Sequence, residues 1–172
     1  MPPSPISYSL DSLRKLASLI EGMSADDYAR CCPGFYNASI GKHTRHAVDH
    51  YDRLLAQRGG EIVDYDRRER GGAIETDRAL ALSEISRLGD ELSRTGEAEL
   101  PAPIRIRMMM GDSPDSEVLL DTTLGRELAF CASHCVHHLA LMTVMARSLG
   151  AEADDALGLA PSTAAHFASK SG

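Results

Sequence analysis

The sequence predicts an all-α four-helix bundle with a small β-hairpin inserted between helices three and four. Three observations carry that expectation. Four stretches place apolar residues at helical spacing, and one stretch, Pro103-Ile104-Arg105-Ile106-Arg107-Met108, alternates apolar with basic residues as a strand does. With no Trp and only three Phe, the core must be built from Leu, Ile, Val, Met and Ala, which suits packed helices. At 172 residues the chain fits one domain of ordinary size, residues 1–172, able to bury a real core.

Helix one is expected to be capped by Ser9 and to turn Leu10, Leu13, Leu16, Ala17 and Ile20 inward until Gly22 stops it. Ser24 before Ala25-Asp26-Asp27 reads as the start of one or two further turns, to about Arg30, and Cys32-Pro33-Gly34 breaks them. Ser39 caps helix two, whose inner face carries Ile40, Thr44, Ala47, Tyr51, Leu54 and Leu55 and which ends at Arg58-Gly59-Gly60. Asp64 to Gly72 reads as a charged, glycine-closed loop running along the bundle. Asp66, Arg67, Arg68 and Arg70 in it could greet an anionic substrate, with pairing to Glu75 or Asp77 as the default. Helix three is expected from about Ile74 to Arg94, with Leu82, Ile85, Leu88 and Leu92 inward. In the hairpin, Gly111-Asp112-Ser113-Pro114 makes the turn and Val118-Leu119-Leu120 the return strand. The Met108-Met109-Met110 run is expected to make core or dimer contacts. Thr122 or Thr123 caps helix four, Gly150 stops it, and Pro161 opens a last turn.

Net charge and targeting signals narrow the function classes. A net charge of −7 and a pI near 5.4 argue against nucleic-acid binding, because phosphate recognition needs clustered Lys and Arg. A DNA-repair factor ranks low for the same reason. No apolar run of transmembrane length is expected, and Met1-Pro2-Pro3-Ser4-Pro5 lacks a signal peptide's basic start and apolar centre, so the expectation is a cytoplasmic protein with no membrane partner. Cys31, Cys32, Cys131 and Cys135 form neither a zinc pattern nor a disulfide framework, and are expected as thiols. Cys131 and Cys135 lie on the inner stripe of helix four with Leu124, Leu128, Met142 and Leu149, where they pack as small hydrophobes.

Six of the seven histidines fall in two short windows. His134 and His138 sit one helical turn apart on one face, so two imidazoles can bite one ion. His43, His46 and His50 lie along one flank of helix two. One of them joined to His134 and His138 gives three nitrogen ligands, the number typical of catalytic sites that keep a position open. His50 is the rival to His46, one turn along, while His43 and His137 are outward-facing or support a ligand from behind. Spacing does not name the ion, since imidazole suits zinc, nickel, iron and copper alike. Glu127, two turns before His134, and Asp49, within a turn of His46, could each orient an imidazole. Plain surface charge is the default expectation for both.

The run Ser39-Ile40-Gly41-Lys42-His43-Thr44-Arg45-His46, with His134, His137 and His138 in the last long helix, resembles the DinB/YfiT-like family of bacterial four-helix-bundle proteins. The resemblance covers most of the chain. It implies a divalent metal, zinc or nickel ahead of iron or another ion, held by His46, His134 and His138. It also implies a homodimer, and a thiol-dependent transferase or isomerase in which the metal activates a low-molecular-weight thiol.

Two functions follow as expectations. The first is a metal-dependent enzyme, a hydrolase or a thiol S-transferase, acting on a small molecule with water or thiol as nucleophile. The second is a non-catalytic homodimeric bundle, a stress-associated or binding protein without metal, whose histidines hydrogen-bond to each other and to backbone.

Overall fold

The computed structural model describes residues 2–60, 62–67 and 71–170. Its elements in order are α1 (Pro5–Glu21), α2 (Ala25–Ala29), α3 (Ile40–Gln57), β1 (Ile62–Asp64), α4 (Arg78–Arg94), β2 (Pro103–Met109), β3 (Glu117–Thr123), α5 (Leu124–Ser148) and α6 (Pro161–Lys170). The chain is mostly helical with one small sheet. Among the long helices, α1 packs on α5 and α4, and α3 packs on the same two, so the four close into a ring. Leu13, Leu16 and Ile20 of α1, Ile40 and Leu54 of α3, Leu88 and Leu92 of α4, and Leu124, Leu128 and Leu139 of α5 fill its middle, all fully buried. Each such side chain stabilises the fold by about 1.5–3 kcal/mol relative to exposure.

Helix starts follow local capping. Ser24, Ser39 and Thr123 accept from backbone N–H groups of the first turns of α2, α3 and α5, as expected. α1 differs. It begins at Pro5, because Ser4 and Ser7 form a reciprocal capping box in which the Ser7 N–H donates to Ser4 Oγ and the Ser4 N–H to Ser7 Oγ. Ser9, the expected cap, lies inside the helix, buried, and donates to the Leu128 carbonyl of α5 at 3.2 Å. α4 starts at Arg78 under an Asp77 cap, with the residues from Ala73 forming a separate single turn. The expected last turn is a ten-residue helix, α6, with no buried residue.

The hairpin forms as read, with β2 and β3 antiparallel from Pro103↔Thr123 to Met109↔Glu117. A third strand joins it: β1 runs parallel to β2, with Val63 opposite Ile106, in the order β1-β2-β3. The segment read as the start of a charged loop is therefore a strand end. Asp64 is buried there, accepting from the Asp66 and Arg67 N–H groups and pairing with Arg107. Arg67 pairs with Asp64, not with Glu75 or Asp77, while Arg68 and Arg70 lie outside the described residues.

Two close approaches fix the frame around α3. A Cβ on Gly41 would stand 2.0 Å from the Glu75 carbonyl oxygen, so only glycine allows α3 to meet the turn before α4. The Tyr28 hydroxyl donates to the Ile74 carbonyl at 2.7 Å and ties down the same corner. α5 corrects one expectation: at 25 residues it is long and apolar enough by composition to cross a membrane, although more than half of its most apolar stretch is buried inside the fold, as in a core helix.

Candidate metal centre

The two histidine windows meet where α3 crosses α5. Buried Thr44, Ala47 and Tyr51 on α3 face Cys131, Cys135 and Met142 on α5, and the Thr44 hydroxyl donates to Met142 Sδ at 3.8 Å. Tyr51 Oη and Ser12 Oγ share a 2.7 Å hydrogen bond that locks α3 to α1 behind them. The small side chains of Thr44, Ala47, Cys131 and Cys135 at the crossing bring the flanks carrying the histidines close enough to touch.

Three rings converge there. His134 Nε2 lies 2.9 Å from His46 Nε2 and 3.2 Å from His138 Nε2. Each of the three offers a nitrogen within 4.8 Å of the others, with His138 buried and the other two half-buried. Two nitrogens bound to one ion at about 2.0–2.1 Å stand about 2.9–3.4 Å apart for angles between a right angle and the tetrahedral value. The observed spacings lie in that interval. Hydrogen bonding alone serves three converging Nε2 atoms poorly, since His134 Nε2 carries either one lone pair or one proton and has to divide it between His46 and His138. A cation serves all three lone pairs at once, so these residues could hold a metal ion.

The neighbouring rings set the tautomers. His50 Nδ1–H donates to the His46 carbonyl at 2.8 Å, and its ring packs against His46 and His134 at centroid distances of 4.6 and 4.5 Å. His43 Nδ1 lies 2.9 Å from His138 Nδ1. If the His138 Nε2 lone pair points into the cluster, its proton sits on Nδ1 and is donated to His43. His137 is exposed. Burial first, then His134, His43, His137 and His50, push the His138 pKa down to about 3, and burial followed by His137 lowers His43. Both effects favour neutral imidazole, the form that ligates.

Glu127 is no surface charge. It is 0% exposed, accepting from Tyr65 Oη (3.0 Å) on one oxygen and from Thr122 Oγ1 (2.9 Å) and Arg126 Nη1 (3.0 Å) on the other. Tyr65 in turn stacks on His50 at 5.1 Å and 17°, so the carboxylate reaches the histidines through an intervening ring. Asp49 pairs with Arg45 Nη1 at 2.6 Å, and Arg45 Nε also donates to Glu75 at 2.6 Å. Cys131 and Cys135 are buried thiols; burial pushes Cys131 well up and Cys135 up to about 12, which leaves both inert.

Two site neighbours lie outside the histidine pattern. Phe130 stacks on His134 at 5.7 Å and 18°, and Tyr65 covers His50. Phe130 could have been found at i−4 from His134. Tyr65 arrives with β1 and could not.

Comparison with known proteins places the chain. It is 29% identical to FK506-binding protein 5 of Rhizopus delemar over 106 residues, which make up 62% of this chain and 28% of that protein. The chain thus spans under a third of that relative's length. No solved structure matches it at a significant level. The profile of the DinB superfamily matches residues 11–142, a span that contains α2, α3, α4, most of α1 and α5 and all three converging histidines, and the chain belongs to that superfamily.

Proposed function

We propose that this chain is a divalent-metal-dependent enzyme built on a four-helix bundle, with His46, His134 and His138 as ligands and zinc or nickel as the ion. Its reaction is a thiol-dependent transfer or isomerisation, or a hydrolysis, on a small molecule. One observation carries the reading: three Nε2 atoms from two helices meet at spacings that suit one shared ion. A bound divalent ion with an open position lowers the pKa of a thiol or water and polarises an oxygen ligand.

The chain's own residues do the rest. His43 holds His138 from behind through Nδ1, and the His46 carbonyl fixes the His50 ring beside the cluster. Phe130 and Tyr65 close one side and keep water from the rings they cover. Elemental analysis of tag-free protein purified without nickel resin tests the reading. Near-stoichiometric divalent metal, lost in a folded His138→Ala variant, is expected; metal at background, or metal retained by that variant, overturns it.

A second reading, a non-catalytic homodimer, draws support from Val118 and Leu119, which are 37% and 50% exposed on the edge strand β3. Light scattering coupled to gel filtration measures the assembly, and a dimer without bound metal would favour this reading over the first.

A further inference from the structure

A cavity of about 360 Å³ opens between α1 and α4, but a second, of about 350 Å³, shares a wall with the histidine cluster. It lies between the sheet and the first turns of α5. Ile106, Met108, Met110, Leu120 and Phe130 form its apolar walls, and Tyr65, Thr122, Arg126 and Glu127 its polar floor. That size and lining suit a small molecule. Met110 and Leu120 stand 58% and 37% exposed at its edge, apolar surface that a ligand would cover.

The floor selects the ligand's charge. Glu127 already accepts from three donors, one of them the Arg126 guanidinium, and its side chain is 1% exposed, so it is shielded from a cation in the cavity. Arg126 is 63% exposed and, among the described residues, donates to Glu127 through Nη1 only. Its guanidinium lies over the Phe130 ring at 5.5 Å at the border of the cavity, and the rest of its donor fork is not used by Glu127. Asp121 also borders the cavity, but strand alternation sends its side chain to the opposite face, beside its cross-strand partner Arg105. The polar recognition group left is thus a guanidinium fork, which matches a carboxylate.

Contacts along α5 connect this cavity to the cluster. Arg126 lies over Phe130, Phe130 stacks on His134, and His134 meets His138 at 4.5 Å. We infer that the cavity binds the tail of the substrate, a small molecule with an apolar body against Met108, Leu120 and Phe130 and a carboxylate on Arg126. Arg126 and His134 are two turns apart, about 12 Å along the axis, so the body spans that distance and passes the edge of Phe130 to present its reacting end. This inference deepens the metalloenzyme reading and rests on it for the word substrate.

The test separates the two. Fluorine NMR follows para-trifluoromethylhydrocinnamate and its primary amide titrated into EDTA-treated protein. The acid is expected to bind saturably at millimolar concentration, with the amide and the Arg126→Gln variant each weaker by roughly ten-fold. Met110→Glu, at the exposed mouth, weakens the acid and spares the amide. His138→Ala leaves acid binding unchanged, so a failed metal centre is told apart from a failed cavity. No saturable binding of the acid, equal binding of acid and amide, or an Arg126→Gln variant that binds the acid as wild type does overturns the inference.

Discussion

His43 on α3 and His138 on α5 face each other through their Nδ1 atoms at 2.9 Å, one ring supporting the other across the helix crossing. A ligating histidine usually donates its second ring N–H to a fixed acceptor, and loss of that acceptor weakens metal binding by roughly 10- to 100-fold. His43→Ala should weaken zinc affinity within that range. His43→Gln, whose side-chain oxygen can still accept, should recover part of it. Competition with a chromophoric chelator measures both, and equal affinities for wild type and His43→Ala would remove His43 from the site.

The metal-free protein should lose stability on mild acidification. His138 is lowered to about 3 from its ordinary 6.5, so between those values the unfolded chain binds more protons than the folded one. Stability then rises with pH through this window: it is fully present above the unfolded value and declines as pH falls toward the folded one. The melting temperature of EDTA-treated wild type should drop between neutral pH and about pH 5 more steeply than that of His138→Gln, which carries no titrating ring. Metal-loaded protein should release its ion over the same descent, because protons compete for the ligating nitrogens.

Glu127 should matter more to folding than its position one residue from exposed Arg126 suggests. Glu127→Ala leaves the Tyr65 and Thr122 hydroxyls without their buried acceptor, at a cost of about 2–3 kcal/mol. Tyr65→Phe removes one donor of three and should cost about 1 kcal/mol. Chemical denaturation of the two variants gives the comparison; equal losses would contradict the hydrogen-bond account.

Gly41→Ala should cost about 3 kcal/mol through overpacking, since its Cβ would fall 2.0 Å from the Glu75 carbonyl oxygen. The displaced α3 carries His43 and His46, so zinc affinity should fall with stability. A Gly41→Ala protein with wild-type melting and wild-type affinity would show that the approach is not tight.

Much of this was written locally. The caps Ser24, Ser39 and Thr123, the stop at Gly150 with φ +85° and the hairpin alternation all act within a few residues, where sequence patterns are reliable. The pairing of His134 with His138 needs only a helix. Other features depend on distant chain. Ile62–Asp64 is too short to show a strand period, and its parallel partner lies some forty residues on. Ser9 resembles a cap, yet its hydroxyl is satisfied by α5. Glu127 looks like surface charge until Tyr65 arrives over it from β1. The choice of His46 over His50 as the third converging ring likewise follows from how α3 is rotated against α5, which one helix cannot reveal.

The junction between hairpin and helix has one further consequence. β3 ends at Thr123 and α5 begins at Leu124, with no linker between them. The Leu124 and Gly125 N–H groups donate to the Ala102 and Leu100 carbonyls just before β2 and pin this junction, so the hollow beneath the sheet is shaped before any guest arrives. Exchanging side chains on the two strands should therefore change which molecules enter while the imidazole trio, two of whose rings lie further along α5, keeps its geometry.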